Sequence, residues 1–221
     1  MALPEPGEEF LLPLFPLPNV VFFPRTRLPL HVFEPRYRQM VADAMASDER
    51  IGMILLEEGW EADYYGAPAV HPVGTLGQIE SLSALEDGRF NLILNGQARF
   101  RVVEQVSDSP YRVARVMRLP DVAAPPEAAY AIREWLVDLS LRYLEFVPKP
   151  NQVPELETAG CEELTNALVM SLPLDVGDKQ RLLELDAIIA RAERVGELLK
   201  QRLETLEFLA PFRQQGDPKN N

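Results

Sequence analysis

Lysine is scarce in this chain of 221 residues: four occur, and the first is Lys149. A protein that neutralises phosphates by counterion release needs clustered lysine and arginine. Here the net charge is −12, and residues 1–124 and 125–221 each carry 17 acidic and 11 basic side chains. Neither half is a basic patch, which argues against a general nucleic-acid binder. Cysteine is rarer still. With Cys161 alone, no internal disulfide framework can form. Histidine is limited to His31 and His71, and no H-E-x-x-H or paired C-x-x-C spacing occurs, so the usual metal and nucleophile signatures are missing. Where a secretory signal places basic residues before an apolar run, this chain has Glu5, Glu8 and Glu9. A cytoplasmic protein without a membrane anchor is expected.

Proline and apolar residues are plentiful. Leu11 to Pro24 and Leu28 to Tyr37 form an apolar block broken by prolines at 13, 16, 18, 24 and 29. Proline fixes φ and lacks an N–H, so the block predicts short, interrupted strands forming one wall of a small, irregular β barrel. Period-2 segments continue to about residue 119. Phe90, Leu92 and Leu94 alternate with Asn91, Ile93 and Asn95, and after Gly96 the pattern resumes as Ala98, Phe100 and Val102. Arg99 and Arg101 then point off the buried face. Asp87-Gly88 predicts a two-residue turn between strands, and Asn95-Gly96 a second turn or a bulge. A helix over about 35–46 is predicted from Pro35 and the spacing of Tyr37, Met40, Val41 and Ala44.

Beyond Pro125-Pro126 the period becomes helical. Ile132, Trp135, Leu136, Leu139 and Tyr143 form one stripe, and Leu164, Leu168 and Leu172 another. A proline-flanked loop to about 159 separates them, and a short helix starts at Asp178. Asp186 can cap a final helix of roughly six turns, with Ala192, Val195, Leu199 and Leu206 inside and Arg191, Arg194, Glu197 and Lys200 in solvent.

The opening block, Glu34-Pro35-Arg36-Tyr37, Gly74 to Glu80, Asp87 to Val102, Leu172-Pro173-Leu174, Lys179 to Glu184 and Arg191 to Leu199 together resemble the amino-terminal domain of Lon proteases over about residues 10–209. The resemblance implies an α+β fold: a PUA-like β pseudobarrel with one or more short helices, then an α-helical bundle ending in a long helix. The expected organisation is a flexible terminus at 1–9, a β-rich subdomain at 10–122, a helical subdomain at 123–210 and a disordered tail at 211–221. It also implies engagement of protein substrates. No G-x-x-x-x-G-K-[ST] phosphate loop occurs, nor does the family's serine-lysine peptidase module, so the chain resembles a stand-alone domain without enzymatic activity or cofactor.

Residue by residue, chemistry finds little footing. His31 lies in a predicted strand and His71 precedes Pro72, both readable as structural. Cys161, at a helix start, reads as a non-catalytic thiol, and Ser171 and Lys179 straddle Pro173 with no oxyanion signal. Glu34-Pro35-Arg36-Tyr37 reads either as a ligand clamp or, more simply, as a helix start with Tyr37 packed inward. The segment 57–66 differs in kind, because Trp60, Tyr64 and Tyr65 stand among Glu57, Glu58, Glu61 and Asp63. Such a loop suits peptide contact, while its aromatics folding back over the barrel mouth is an equal alternative. Trp60, Tyr64 and Tyr65 are therefore the candidate peptide-binding residues.

The expected partners are unfolded or client polypeptides, with a protease or chaperone as a further partner and self-association through the long helix as an option. The alternative function is RNA or small-molecule binding by analogy with other PUA-like barrels, with Arg99, Arg101, Arg112, Arg115 and Arg118 as a local basic stripe, although surrounding carboxylates are the expected partners of these arginines. An active hydrolase has no motif behind it.

Overall fold

The structure is a computed structural model that describes residues 2–63, 66–108, 110–146 and 158–214, the last four by backbone only. It divides into two compact units, Met1–Val122 with Leu174–Asp186, and Ala123–Pro173 with Ala187–Asn221.

The first unit holds six strands, β1 (Glu9–Leu17), β2 (Arg27–Val32), β3 (Arg50–Leu55), β4 (Val73–Ala84), β5 (Phe90–Ser107) and β6 (Val113–Arg118), with helix α1 (Pro35–Met45) between β2 and β3. Their order is β2-β5-β4-β3-β1-β6, and β5 also pairs with β6. That last pairing closes a five-stranded barrel, leaving β2 on the free half of the long strand β5. Leu12, Leu14, Ile54, Leu76, Phe100, Ala114 and Val116 fill the barrel. Losing a ring as enclosed as Phe100 costs about 3–5 kcal/mol, the scale on which this core holds the unit together.

The prolines of the opening block do not break its strand as predicted. Leu14 N–H donates to the carbonyl of Arg112 on the β6 side. N–H groups alternate sides along a strand, so Pro13 would donate toward β3 and Pro16 toward β6. Pairing with β6 runs only through Pro13, and pairing with β3 begins at Leu14. Each proline therefore lacks a donor where no neighbour would receive it. Residues 2–9, expected to be flexible, are tied to the sheet: Gly7 N–H donates to the Arg118 carbonyl, and Arg118 and Arg50 donate to the carbonyls of Pro4 and Ala2.

The β4–β5 connection also differs from the two-residue turn. It spans residues 85–89, with Leu85 and Arg89 hydrogen-bonded and Gly88 at φ +77° as its single left-handed residue. The Asp87 carboxylate shapes it by accepting from Arg89 N–H and Nε. At 95–97 the ladder carries a bulge, with Leu76 opposite Ala98 and Gly77 opposite Gly96.

Helix α4 (Val176–Leu183) belongs to this first unit although it lies in sequence between helices of the second. It starts at Val176, earlier than Asp178, because the Asp175 carboxylate accepts from Gly177 N–H and caps it. Arg99 explains the grouping. This side chain, expected off the barrel's buried face with carboxylates as partners, meets those partners but is completely buried. Its Nε donates to Asp121, its Nη1 to Asp186 and to the carbonyls of Leu183 and Leu185, and its Nη2 to the carbonyl of Pro120, all at 2.9–3.1 Å. Alternation does turn Arg99 off the barrel interior, but the segment after α4 covers that face.

The second unit is helical, with α2 (Pro126–Leu144), α3 (Cys161–Ser171) and α5 (Ile188–Gln214). Leu136, Leu139, Leu164, Leu168, Ala192, Val195, Leu199 and Leu203 form its buried stripe. Gly196 lies against the indole of Trp135, where any Cβ would collide with the ring. Arg191, expected in solvent, is wholly buried and donates from Nη1 to the Asn166 Oδ1 at 3.1 Å. Helix α5 continues through Pro211, so the backbone at 211–214 is helical. The remainder of the expected disordered tail, 215–221, lies outside the described residues, as does most of the predicted proline-flanked loop.

Candidate functional site

A cleft opens at one end of the first unit, lined by Pro16, Arg36, Tyr37, Leu56, Gly66, Pro68, Asp108, Tyr111 and Arg112. Four pieces of chain supply it. The end of β1 brings Pro16, and the first turn of α1 brings Arg36 and Tyr37. The segment following β3 brings Leu56, Gly66 and Pro68, and the β5–β6 connection brings the last three residues. Its free volume of about 30 Å³ holds a couple of waters. Small-molecule pockets run to about 300–1,000 Å³, so a cofactor-sized ligand does not fit this space.

The α1 start matches the simpler expectation for Glu34-Pro35-Arg36-Tyr37, a helix start with Tyr37 packed inward. Pro35 occupies the first turn, and Tyr37 is buried with its ring 4.3 Å from that of Phe15. Arg36 lies 4.6 Å over the Tyr37 ring, and its Nε and Nη2 both approach the Glu34 Oε2 at 3.1 Å. Glu34 makes no side-chain cap bond, so its carboxylate serves Arg36 rather than the helix end.

Across the cleft, Tyr111 donates its hydroxyl to Asp43 at 2.7 Å. Burial, with that carboxylate, pushes the phenol pKa up to about 12. Arg112 is 6% exposed. Its Nη2 donates to the carbonyl of Pro68 at 2.9 Å, its Nε stands 3.6 Å from Asp108, and its Nη1 is buried with no hydrogen-bond partner among the described residues. Burial pulls its pKa below the ordinary guanidinium value, against the opposing effect of Asp108. The sequence places Arg112 in a local basic stripe with carboxylates as the expected partners, and Asp108 is the carboxylate nearby. Strand parity carried a better signal: in β6, Ala114 and Val116 face the core, and Arg112 shares their parity.

The stripe is not continuous: Arg99 is enclosed by carboxylates and carbonyls, Arg115 lies 3.9 Å from Glu104, and Arg118 binds the amino-terminal segment, while Arg101 is exposed.

Of the predicted peptide contacts, Trp60 opens a short 3-10 turn, Trp60–Asp63, and is half-buried without lining the cleft. Tyr64 and Tyr65 lie outside the described residues. The segment's far end, at Gly66 and Pro68, borders the cleft directly.

The other singled-out groups are engaged locally. His31 pairs with Asn91 at 2.7 Å and Arg89 at 3.3 Å, while His71 lies 3.7 Å from Glu184. Ser171 donates to the Leu168 carbonyl, and burial raises the Cys161 thiol pKa, the opposite of nucleophile activation. Burial likewise lowers the Lys179 pKa. Among the described residues no cluster of His, Cys, Asp and Glu is arranged for a metal ion, and no helix is long and apolar enough to cross a membrane.

A strand barrel with a crossover helix, joined in sequence to a helical unit ending in a long helix, defines an α+β class met in the amino-terminal domains of Lon proteases. Solved structures match it, two of them as follows. The Lon N-terminal domain protein from Xanthomonas campestris is 29% identical with a TM-score of 0.61, covering 84% of this chain and 96% of that one. The N-terminal domain of Mycobacterium avium complex Lon protease, at 15% identity and TM-score 0.67, shares the fold over 86% of this chain and 98% of that one.

The chain belongs to the family described as the ATP-dependent protease La (LON) substrate-binding domain, whose profile matches residues 11–201. Among curated proteins, Lon protease 2 of Myxococcus xanthus is 31% identical over 205 residues, and Lon protease of Anaeromyxobacter dehalogenans 30% over 207. Each match covers 90% of this chain but 24% of the relative, so the chain spans about a quarter of those proteases' length.

Proposed function

We propose that this chain is a non-catalytic polypeptide-binding module that takes exposed apolar segments of client proteins, as an adaptor or holdase, at the barrel end where the cleft opens. The observation that carries this reading is the convergence there of the α1 start, the far end of the 57–66 segment and the β5–β6 connection. The substrate-binding description of its family points the same way. Trp60, Tyr64 and Tyr65 are the proposed contact residues, because aromatic side chains bring large contact area at low entropic cost. Lining residues Pro16, Leu56 and Pro68 supply apolar wall to the cleft. A cytoplasmic setting, with delivery of clients to a protease or chaperone, fits this role.

Fluorescence anisotropy with labelled, denatured casein tests the reading. Saturable binding is expected, weakened about tenfold by Trp60→Ala together with Tyr64→Ala while the circular dichroism spectrum is unchanged. No binding by the intact protein would end the proposal, and equal binding by the variant would remove the aromatic segment from it. Incubation with casein, with and without ATP, is expected to leave the substrate uncut.

A further inference from the structure

Among the described cleft residues, Arg112 combines deep burial, a positive charge and a nitrogen, Nη1, with no hydrogen-bond partner. Arg99, the fully buried arginine of the same unit, shows the satisfied arrangement: every nitrogen has a carboxylate or carbonyl. Arg118, half-buried and away from the cleft, sends Nη1 to the Pro4 carbonyl and keeps a buried Nε without a hydrogen-bond partner among the described residues. Arg112 has the Pro68 carbonyl at Nη2, but Asp108 stands at 3.6 Å, too far for a hydrogen bond, and is half-exposed to water. A buried charged donor left unmatched is costly, so Nη1 calls for a partner from the cleft, a water in the free chain or a group that displaces it. Arg36 lies on the same cleft and adds a second guanidinium. The free space of about 30 Å³ accommodates a group the size of one carboxylate, and nothing much larger.

We propose that Arg112, supported by Arg36, recognises a carboxylate carried by the bound polypeptide, with Pro68 and Leu56 flanking the aliphatic portion next to it. The proposal rests on the polypeptide-binding reading and names the polar anchor of that site. Guanidinium is suited to the task because its planar donors match the two oxygens of a carboxylate, giving charge-assisted hydrogen bonds. The carboxylate belongs either to a chain terminus or to an Asp or Glu side chain, and the two sources share this chemistry.

The test is calorimetric titration of the full chain with three N-acetylated decapeptides rich in Leu, Phe, Ala and Ser. One ends in a free carboxylate, one is its C-terminal amide, and one is the amide with a single internal Glu. A peptide bearing a carboxylate is expected to bind about 10- to 100-fold tighter than the uncharged amide. Preference for the free acid alone assigns the site to chain ends, and preference for the Glu peptide assigns it to side chains.

Arg112→Met is expected to erase the preference while retaining binding of the amide. Should that variant fail to fold, Arg36→Gln is expected to reduce the preference in a folded protein. Equal affinity of the intact chain for all three peptides overturns the carboxylate anchor and leaves the polypeptide reading standing. Failure of all three to bind overturns both.

Discussion

Arg99 and Arg112 are both buried arginines of the barrel unit, and they are provided for in opposite ways. Arg99 has two carboxylates and three backbone carbonyls within hydrogen-bond distance, drawn from segments 120–121 and 183–186. Arg112 has one carbonyl, a distant carboxylate and a buried Nη1 without a partner among the described residues. A fully matched guanidinium acts as a rivet, fixing the return of the chain after α4 onto the outside of the barrel. An incompletely matched one, at the edge of a cleft, costs stability and holds donor capacity in reserve. The contrast separates what holds this fold from what it offers to a partner.

The largest effect expected from that contrast is on stability. Arg99→Met leaves the Leu183, Leu185 and Pro120 carbonyls and two carboxylates without their donor, so urea denaturation should show a loss of about 3–5 kcal/mol. Retention of wild-type stability would show that the rivet is ornamental. Asp175→Ala removes the cap of α4, the helix whose end presents those carbonyls, and should cost about 1 kcal/mol by the same measurement. Arg112→Met should change stability by less than about 1 kcal/mol, because relief of burying an unmatched charge offsets the lost Pro68 bond. A loss as large as that of Arg99→Met would place the two arginines in one class.

The smallest effect concerns Tyr111. Its phenol pKa is raised from 10.0 to about 12 in the folded chain. The folded state therefore holds the proton more tightly, and this contribution is full below pH 10 and lost as pH rises toward 12. Ultraviolet phenol titration should show a late-ionising tyrosine that Tyr111→Phe removes, and stability should decline more steeply across that window in the parent than in the variant.

Much of the fold was legible in the sequence. Helix α1 and the strand faces of β5 followed from apolar periodicity, because one-sided burial writes its period directly into the chain. What escaped was decided by long-range pairing. Pro13 and Pro16 read as strand breakers until β1 was seen to exchange β6 for β3 between them. Arg191 reads as solvated because a charge usually is, and the burial of Arg99 is not legible because its partners at 121 and 186, like Asn166 for Arg191, are remote in sequence. Legibility of the site was uneven. Composition drew attention to 57–66 and to Glu34-Pro35-Arg36-Tyr37, and the cleft adjoins both. Parity with Ala114 and Val116 separates Arg112 from Arg115 but not from Arg118, and no other local signal marked it.

The most direct test of the central claim, that clients bind at this barrel end, is amide hydrogen exchange of the chain with and without denatured casein. The account predicts new protection concentrated in residues 34–37, 56–72 and 107–112. Protection confined to the helical unit, around the exposed side chains of Tyr130 and Leu141, with those three segments unchanged, would contradict it.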